Sequence, residues 1–460
     1  MNDSYTRDVN LHKKHQKDRL VNSSDGKSET KIPATKLQRL GVLGSLVTRV
    51  ASNMVAEGAK QIVSGKRPSA KDLLLTPQNA AKVAEKLSHL RGAAMKVGQL
   101  ISMEAGDLLP RELTEILAKL RSDASPMPAK ELAALLEREL GSNWQHNFIT
   151  FTFRPMAAAS IGQVHEAYGD DGNRLAIKVQ YPGVKDSIES DVDNVGTLLR
   201  VTGLVPDTVD YKGLLSEAKK QLLEEADYCR EARMIEAYRE KLAEMPQFVV
   251  PDVFEDITTS DVLAMSYLEG ENVDSLANEP QAVRNQVVSD LFELLLKEIF
   301  SFRLVQTDPN FANYLYQPTT KKIALLDFGA TRVYPERFSH GYLMLMSSAM
   351  HGDKPGIEKA LSYIGFFGNE IKPEQKEAVV ELVEMAMEPM RFDGEYDFAN
   401  TDLAVRIREA GMSLSMEKGY WHTPPVDAMF LHRKIGGLYL LAVRLKAKVN
   451  VRNLLNPYIN

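Results

Sequence analysis

The stretches QTDPNFANYL (Gln306–Leu315) and IALLDFGAT (Ile323–Thr331) set two acids and a carboxamide at the edges of apolar runs. Asp308 stands five residues before Asn313, and Asp327 follows fourteen residues after Asn313. In the second stretch a short apolar strand delivers a carboxylate at its end, and Gly329 lets the backbone turn away. Far upstream, LAIKV (Leu175–Val179) reads as a strand whose Lys178 points to the face opposite Ile177 and Val179. Taken singly, each feature is ordinary: a lysine on an edge strand is a common solvated residue, and an aspartate ending a strand is common too.

The order of these residues matches what phosphoryl transfer requires. A lysine holds nucleotide phosphates, an acid fixes that lysine, two oxygen ligands hold Mg²⁺, and one aspartate orients the attacking group. Asp308 is expected to face that group, and Asn313 and Asp327 to share the metal as hard oxygen donors. The predicted fold is α+β and protein-kinase-like. A β-rich small lobe is followed by a helical large lobe, with a helical extension in front. Two features depart from ordinary protein kinases. PMAAASIGQVHEA (Pro155–Ala167) stands where a Gly-rich phosphate loop should precede the lysine, and Gln306 and Thr307 replace the usual His-Arg before the aspartate.

The whole chain is consistent with this. Its 460 residues suit a large two-lobed unit, and 44% hydrophobic with 26% charged residues is an ordinary globular composition. A net charge of −6 argues against a general nucleic-acid binder. The single cysteine, Cys229, excludes an intrachain disulfide and a cysteine metal site, reads as helix packing, and fits a reducing, cytoplasmic setting. The most apolar window, LFELLLKEIFSF (Leu291–Phe302), carries Glu293, Lys297 and Glu298 and is too short to span a bilayer. Residues 1–35 mix acids and bases without a signal-peptide pattern and read as a solvated tail.

The expected division is a tail over 1–35, a helical extension over 36–146, a small lobe over 147–268 and a large lobe over 269–460. Helical runs begin at Leu37 and again before Arg91. The second carries an apolar stripe of Leu87, Leu90, Ala94, Val97 and Ile101, with Gly92, Lys96 and Gln99 beside it. A third helix follows Pro128. Further helices are expected over Val184–Thr202 and Tyr211–Leu242, and strands over Phe248–Val253 and Val262–Tyr267.

The departures also form a pattern. The chain, from about Leu37 onward, resembles the UbiB-type (AarF/UbiB) atypical kinase-like family, in its coenzyme Q (ubiquinone) branch. The resemblance rests on KVGQ (Lys96–Gln99), AAAS (Ala157–Ser160) and the acids Glu225 and Asp227 of EEADYCREA. It rests also on QTDPNFAN and LHRKIGGLYLLAVRLKA (Leu431–Ala447). It implies that Lys178 pairs with Glu225 and contacts the phosphates of ATP or ADP, and that Ala157, Ala158, Ala159 and Ser160 cover the nucleotide. Asp308 is then the catalytic-loop aspartate, and Asn313 and Asp327 hold Mg²⁺. Lys96 and Gln99 lie across the site near Glu225 and Asp227.

The implied activity is that of a phosphotransferase or ATPase supporting ubiquinone synthesis. A nucleotide-gated lipid-binding chaperone or scaffold is the alternative. A regulatory protein kinase fits less well, because the extension would block a polypeptide. The implied partners are a lipid or phenolic quinone precursor, other quinone-biosynthesis proteins and the inner face of a membrane. Membrane contact would be peripheral, through residues 37–63 or through Arg444, Lys446, Lys448 and Arg452.

Overall fold

The computed structural model describes residues 91–105, 126–202, 211–368, 371–416, 420 and 424–459. The expected tail, the helical run from Leu37 and the contact segment 37–63 lie outside these residues, as do Leu87 and Leu90.

Helix α1 (Arg91–Ala105) buries Ala94, Val97 and Ile101, the described part of the expected stripe. Helix α2 (Ala129–Leu140) starts after Pro128 and buries Leu132, Leu135 and Leu136. An antiparallel sheet follows, built from β1 (Phe148–Phe151), β2 (Ala157–Ala158), β3 (Gly162–Gly169) and β4 (Arg174–Gln180). Strand alternation explains its two faces. Ile177 and Val179 of β4 join Leu132, Leu136 and Trp144 in one core, whereas Ala176 joins the core of the other side. Lys178, between them in sequence, faces that other side.

Two helices follow, α3 (Val184–Thr202) and α4 (Tyr211–Glu225), which pack on each other, and α1 packs against both. The single helix expected over Tyr211–Leu242 is broken. The Asp227 side chain accepts the backbone NH of Arg230 at 2.9 Å and so caps a new helix, α5 (Tyr228–Lys241). After β5 (Phe248–Val249), shorter than the strand expected there, β6 (Val262–Ser266) closes the sheet in the order β1-β3-β4-β6, with β2 on β3. Lys178 lies opposite Val164 of β3 and Leu263 of β6.

The large lobe opens with β7 (Glu271–Asn272) and α6 (Gln281–Lys297), whose last turn widens into a π turn over Glu298–Phe302. Strand β8 (Leu304–Gln306) leads into the Asp308 loop. β9 (Tyr314–Gln317) and β10 (Lys322–Leu325) form a hairpin, and the sheet order is β5-β10-β9-β7. β11 (Thr331–Val333) returns to pair with β8, so the Asp308 loop and the Asp327 turn share one two-stranded base. Helices α7 (Glu336–Met350), α8 (Lys354–Ile364), α9 (Pro373–Ala386), α10 (Glu388–Arg391) and α11 (Leu403–Met416), with β12 (Tyr396–Asp397) between the last two, complete the body of the lobe. Helix α12 (Val426–Arg444) then runs back to the site, followed by β13 (Lys448–Val449) and α13 (Val451–Ile459). The architecture is the two-lobed α+β fold expected. Among the described residues no helix is long and apolar enough to cross a membrane.

Candidate active site

Lys178 Nζ donates to both carboxylate oxygens of Glu231 at 2.8 Å and lies 4.0 Å from Asp327 Oδ2. Burial alone would depress the ammonium, but the carboxylates of Asp327 and Glu231 outweigh it and hold Lys178 above the ordinary lysine value. The ring of Tyr228 lies 5.2 Å below the cation.

The expected pair of Lys178 with Glu225 is therefore corrected: the acid is Glu231. The helix break at Ala226–Asp227 is the reason. It leaves Glu225 at the end of α4, where it forms an ion pair with Lys96 and accepts the Ser160 hydroxyl at 3.1 Å. It also starts α5 afresh, so that Glu231 in its first turn points at β4 with only 1% of its surface exposed.

Helix α5 is fastened to the Asp-Phe-Gly turn. Arg230 donates to the carbonyls of Gly329 at 3.1 Å and Thr331 at 2.6 Å. The fully buried Phe328 ring packs on Tyr238 with centroids 4.8 Å apart. Asp327 itself accepts the NH of Gly329 at 3.0 Å, and its side chain remains 40% exposed. A Cβ on Gly329 would stand 3.4 Å from Asp327 Oδ1, 3.6 Å from Glu231 Oε2 and 3.7 Å from Glu225 Cγ, so three acids converge on this glycine.

On the large-lobe side, Asp308 accepts Arg433 Nη2 at 2.9 Å on one oxygen and Asn313 Nδ2 at 3.1 Å on the other. Burial raises the Asp308 carboxyl above the usual carboxylate range, with the Arg433 guanidinium pulling the other way. Because its amide NH₂ is on Asp308, Asn313 has its carbonyl oxygen left to offer a metal. Asn313 and Asp327 line one cavity. One carboxylate and one carboxamide oxygen are hard donors of the kind that suits Mg²⁺.

The alanine-rich stretch is a tight hairpin. Ala157 and Ala158 pair with Val164 and Gln163 of β3, and Ala159 NH bonds Gly162 O at 2.9 Å. A Cβ on Gly162 would sit 2.3 Å from the Val179 carbonyl, so only glycine fits there. Helix α1 lies on the hairpin tip: a Cβ on Gly92 would meet Ile161 Cγ2 at 2.9 Å. Lys96 is 6% exposed, and Gln99 is half-buried one turn further on. Asp227, besides its cap, pairs with Arg233 at 3.7 Å. Removing the Lys96 cation leaves the Glu225 charge with the Ser160 hydroxyl as its remaining side-chain partner. Lys96→Ala is expected to change nucleotide affinity or ATP turnover by at least about tenfold, equivalent to about 1.4 kcal/mol. Nucleotide titration and phosphate release check this, and equal values in both proteins would reduce Lys96 to a packing role.

The structure thus gathers Lys178, Asp308, Asn313 and Asp327 at the junction of the lobes, with Lys96, Ser160 and Glu225 beside them. Sequence reasoning missed Glu231, Arg230 and Arg433. The only signal for Glu231 was an acid in the first turn after a capping aspartate. Arg433 lay in the LHRKIGG stretch without an assigned role.

Comparison with known proteins shows the family and the fold. The model of the ABC1 atypical kinase-like domain matches residues 119–361. The chain is 37% identical over 445 residues to the atypical kinase COQ8, mitochondrial, of Saccharomyces cerevisiae, covering 96% of this chain and 87% of that protein. It is 35% identical over 433 residues to the atypical kinase COQ8B, mitochondrial, of Rattus norvegicus, covering 94% and 82%. Among solved structures, the Rv3197–erythromycin complex from Mycobacterium tuberculosis superposes with a TM-score of 0.57 at 23% identity, over 82% of this chain and 94% of that one, a likeness of fold. The chain belongs to the ABC1 atypical kinase-like family.

Proposed function

We propose that the chain binds ATP or ADP with Mg²⁺ between its lobes and works as an atypical kinase or ATPase in the synthesis of ubiquinone or a related quinone lipid. The observation that carries this is Lys178, which is held by the buried Glu231, lies 4.0 Å from Asp327 and faces an Asp308–Asn313 pair across the junction. In this reading Lys178 meets the phosphates, Asn313 and Asp327 hold the metal, and the hairpin of Ala157, Ala158, Ala159 and Ser160 covers the nucleotide. The metal neutralises phosphate charge when bound. Asp308 orients the attacking group, and Glu225, Asp227, Lys96 and Gln99 border the site.

The quinone setting rests on the resemblance of the Lys-x-Gly-Gln and alanine-rich motifs and on relatives that bear the COQ8 name. A lipid or phenolic quinone precursor is the partner class that follows, together with other quinone-biosynthesis proteins. Membrane contact is peripheral in this reading, on the inner face. The basic stretch contributes less than its composition suggests, since Arg444 pairs with Asp274 and Lys448 with Asp397, both at 3.2 Å.

One observation favours the alternative of a nucleotide-gated lipid chaperone: both Asp308 oxygens are already engaged, by Arg433 and Asn313. Phosphate release in the presence of vesicles carrying a phenolic quinone precursor separates the two. The enzyme reading expects turnover that rises with the vesicles. Nucleotide-dependent lipid capture with no turnover would favour the chaperone.

A further inference from the structure

Behind the Asp308 loop lies a buried polar cluster of Glu298, Gln306, Tyr314 and Lys434, which lines the cavity that Asn313 and Asp327 also border. Glu298, in the π turn after α6, is fully buried, and Lys434 on α12 is 5% exposed. Their charged ends are 3.3 Å apart. Lys434 Nζ donates to Gln306 Oε1 at 3.1 Å and to the Tyr314 hydroxyl at 2.9 Å. The Tyr314 hydroxyl donates in turn to Gln306 Oε1 at 2.8 Å. With two donors on Oε1, the Gln306 amide has one orientation, and its Nε2 donates to the Asp308 carbonyl at 3.0 Å. Glu298 Oε1 accepts the Gln306 backbone NH at 3.3 Å and the Tyr238 hydroxyl at 2.7 Å. Tyr238 belongs to α5 and packs on Phe328.

The cluster therefore joins α5, which carries Glu231, to the Asp308 loop, to the Asp-Phe-Gly turn and to α12. Stability alone does not call for it, because well-packed apolar residues replace buried ion pairs at no loss in many proteins. A bonded network of this kind does fix one geometry; Glu298 Oε2, which has no hydrogen bond, is met by the Lys434 charge alone at 3.3 Å. We propose that Lys434 and Glu298 are positioning residues for Asp308. Lys434 sets the Gln306 amide, Gln306 sets the Asp308 backbone, and Glu298 ties the same point to α5. This rests on the reading of Asp308 as the residue that orients the attacking group.

The test uses the full chain with Glu298→Gln and Lys434→Met together. Glutamine keeps the acceptor for Tyr238, methionine keeps the length of the lysine, and no buried charge is orphaned. The expected result is a melting temperature and a Mg²⁺–ATP affinity near wild type. At the same time kcat falls about 100-fold, the size of a small misplacement of a reacting group. Hydrogen exchange should also show lost protection at the amides between Thr307 and Asn313. A folded double variant with wild-type kcat and wild-type protection overturns the proposal. So does a pattern in which Lys434→Met alone loses stability and kcat together and the double variant restores both, since that marks a merely structural pair. If the wild-type protein shows no turnover, the functional reading fails, and the exchange experiment alone decides: lost protection supports the positioning role and unchanged protection removes it.

Discussion

Lys178→Met is expected to give a protein that no longer turns over ATP and is less stable than wild type by about 3–5 kcal/mol, the cost of stranding one partner of a buried ion pair. The reason is Glu231. Its side chain is 1% exposed and both its oxygens are on Lys178, so no water replaces the lost cation. The measurement is chemical denaturation of both proteins beside phosphate release. Double-mutant cycles identify the partner. Lys178→Met with Glu231→Gln should be strongly non-additive in stability, and Lys178→Met with Glu225→Gln much closer to additive. A larger coupling to Glu225 would contradict the pairing described here.

The second large effect is at Asp308. Asp308→Asn should lower turnover by at least about 100-fold, the low end for loss of an acid–base group, and leave nucleotide affinity within about threefold of wild type, a difference under 0.7 kcal/mol. The separation follows from its contacts. Asp308 is bonded to Arg433 and Asn313, whereas Lys178 and Asp327 form the other wall. Steady-state kinetics and equilibrium titration on the same preparations measure the two effects. Collapse of nucleotide affinity with intact kcat would make Asp308 a ligand holder instead.

Local pattern made much of this legible. Alternation along Leu175–Val179 gave Lys178 its face, and the apolar run before Asp327 gave a strand with a turn at Gly329. Helical spacing gave the buried stripe of α1. What local pattern could not give was the identity of partners across long intervals. Lys178 and Glu231 are 53 residues apart, and the choice between Glu225 and Glu231 depends on the helix break that Asp227 caps. A continuous helix through Tyr211–Leu242 would have hidden that choice, because periodicity shows a helix better than it shows one helix ending where the next begins. Arg433 was unreadable for a similar reason. It reaches Asp308 from 125 residues downstream, on a helix whose own pattern reads as packing.

Thermal denaturation with ATP, with and without Mg²⁺, tests the proposed magnesium–nucleotide site at Asp327. At a hundred times the dissociation constant a ligand stabilises the fold by about 2.7 kcal/mol. The wild-type chain should therefore melt several degrees higher with ATP and Mg²⁺ together, by roughly 2–4 °C per kcal/mol. Most of that shift should vanish with EDTA or in Asp327→Asn. A wild-type melting curve unmoved by ATP and Mg²⁺, or an equal shift in Asp327→Asn, would contradict the site.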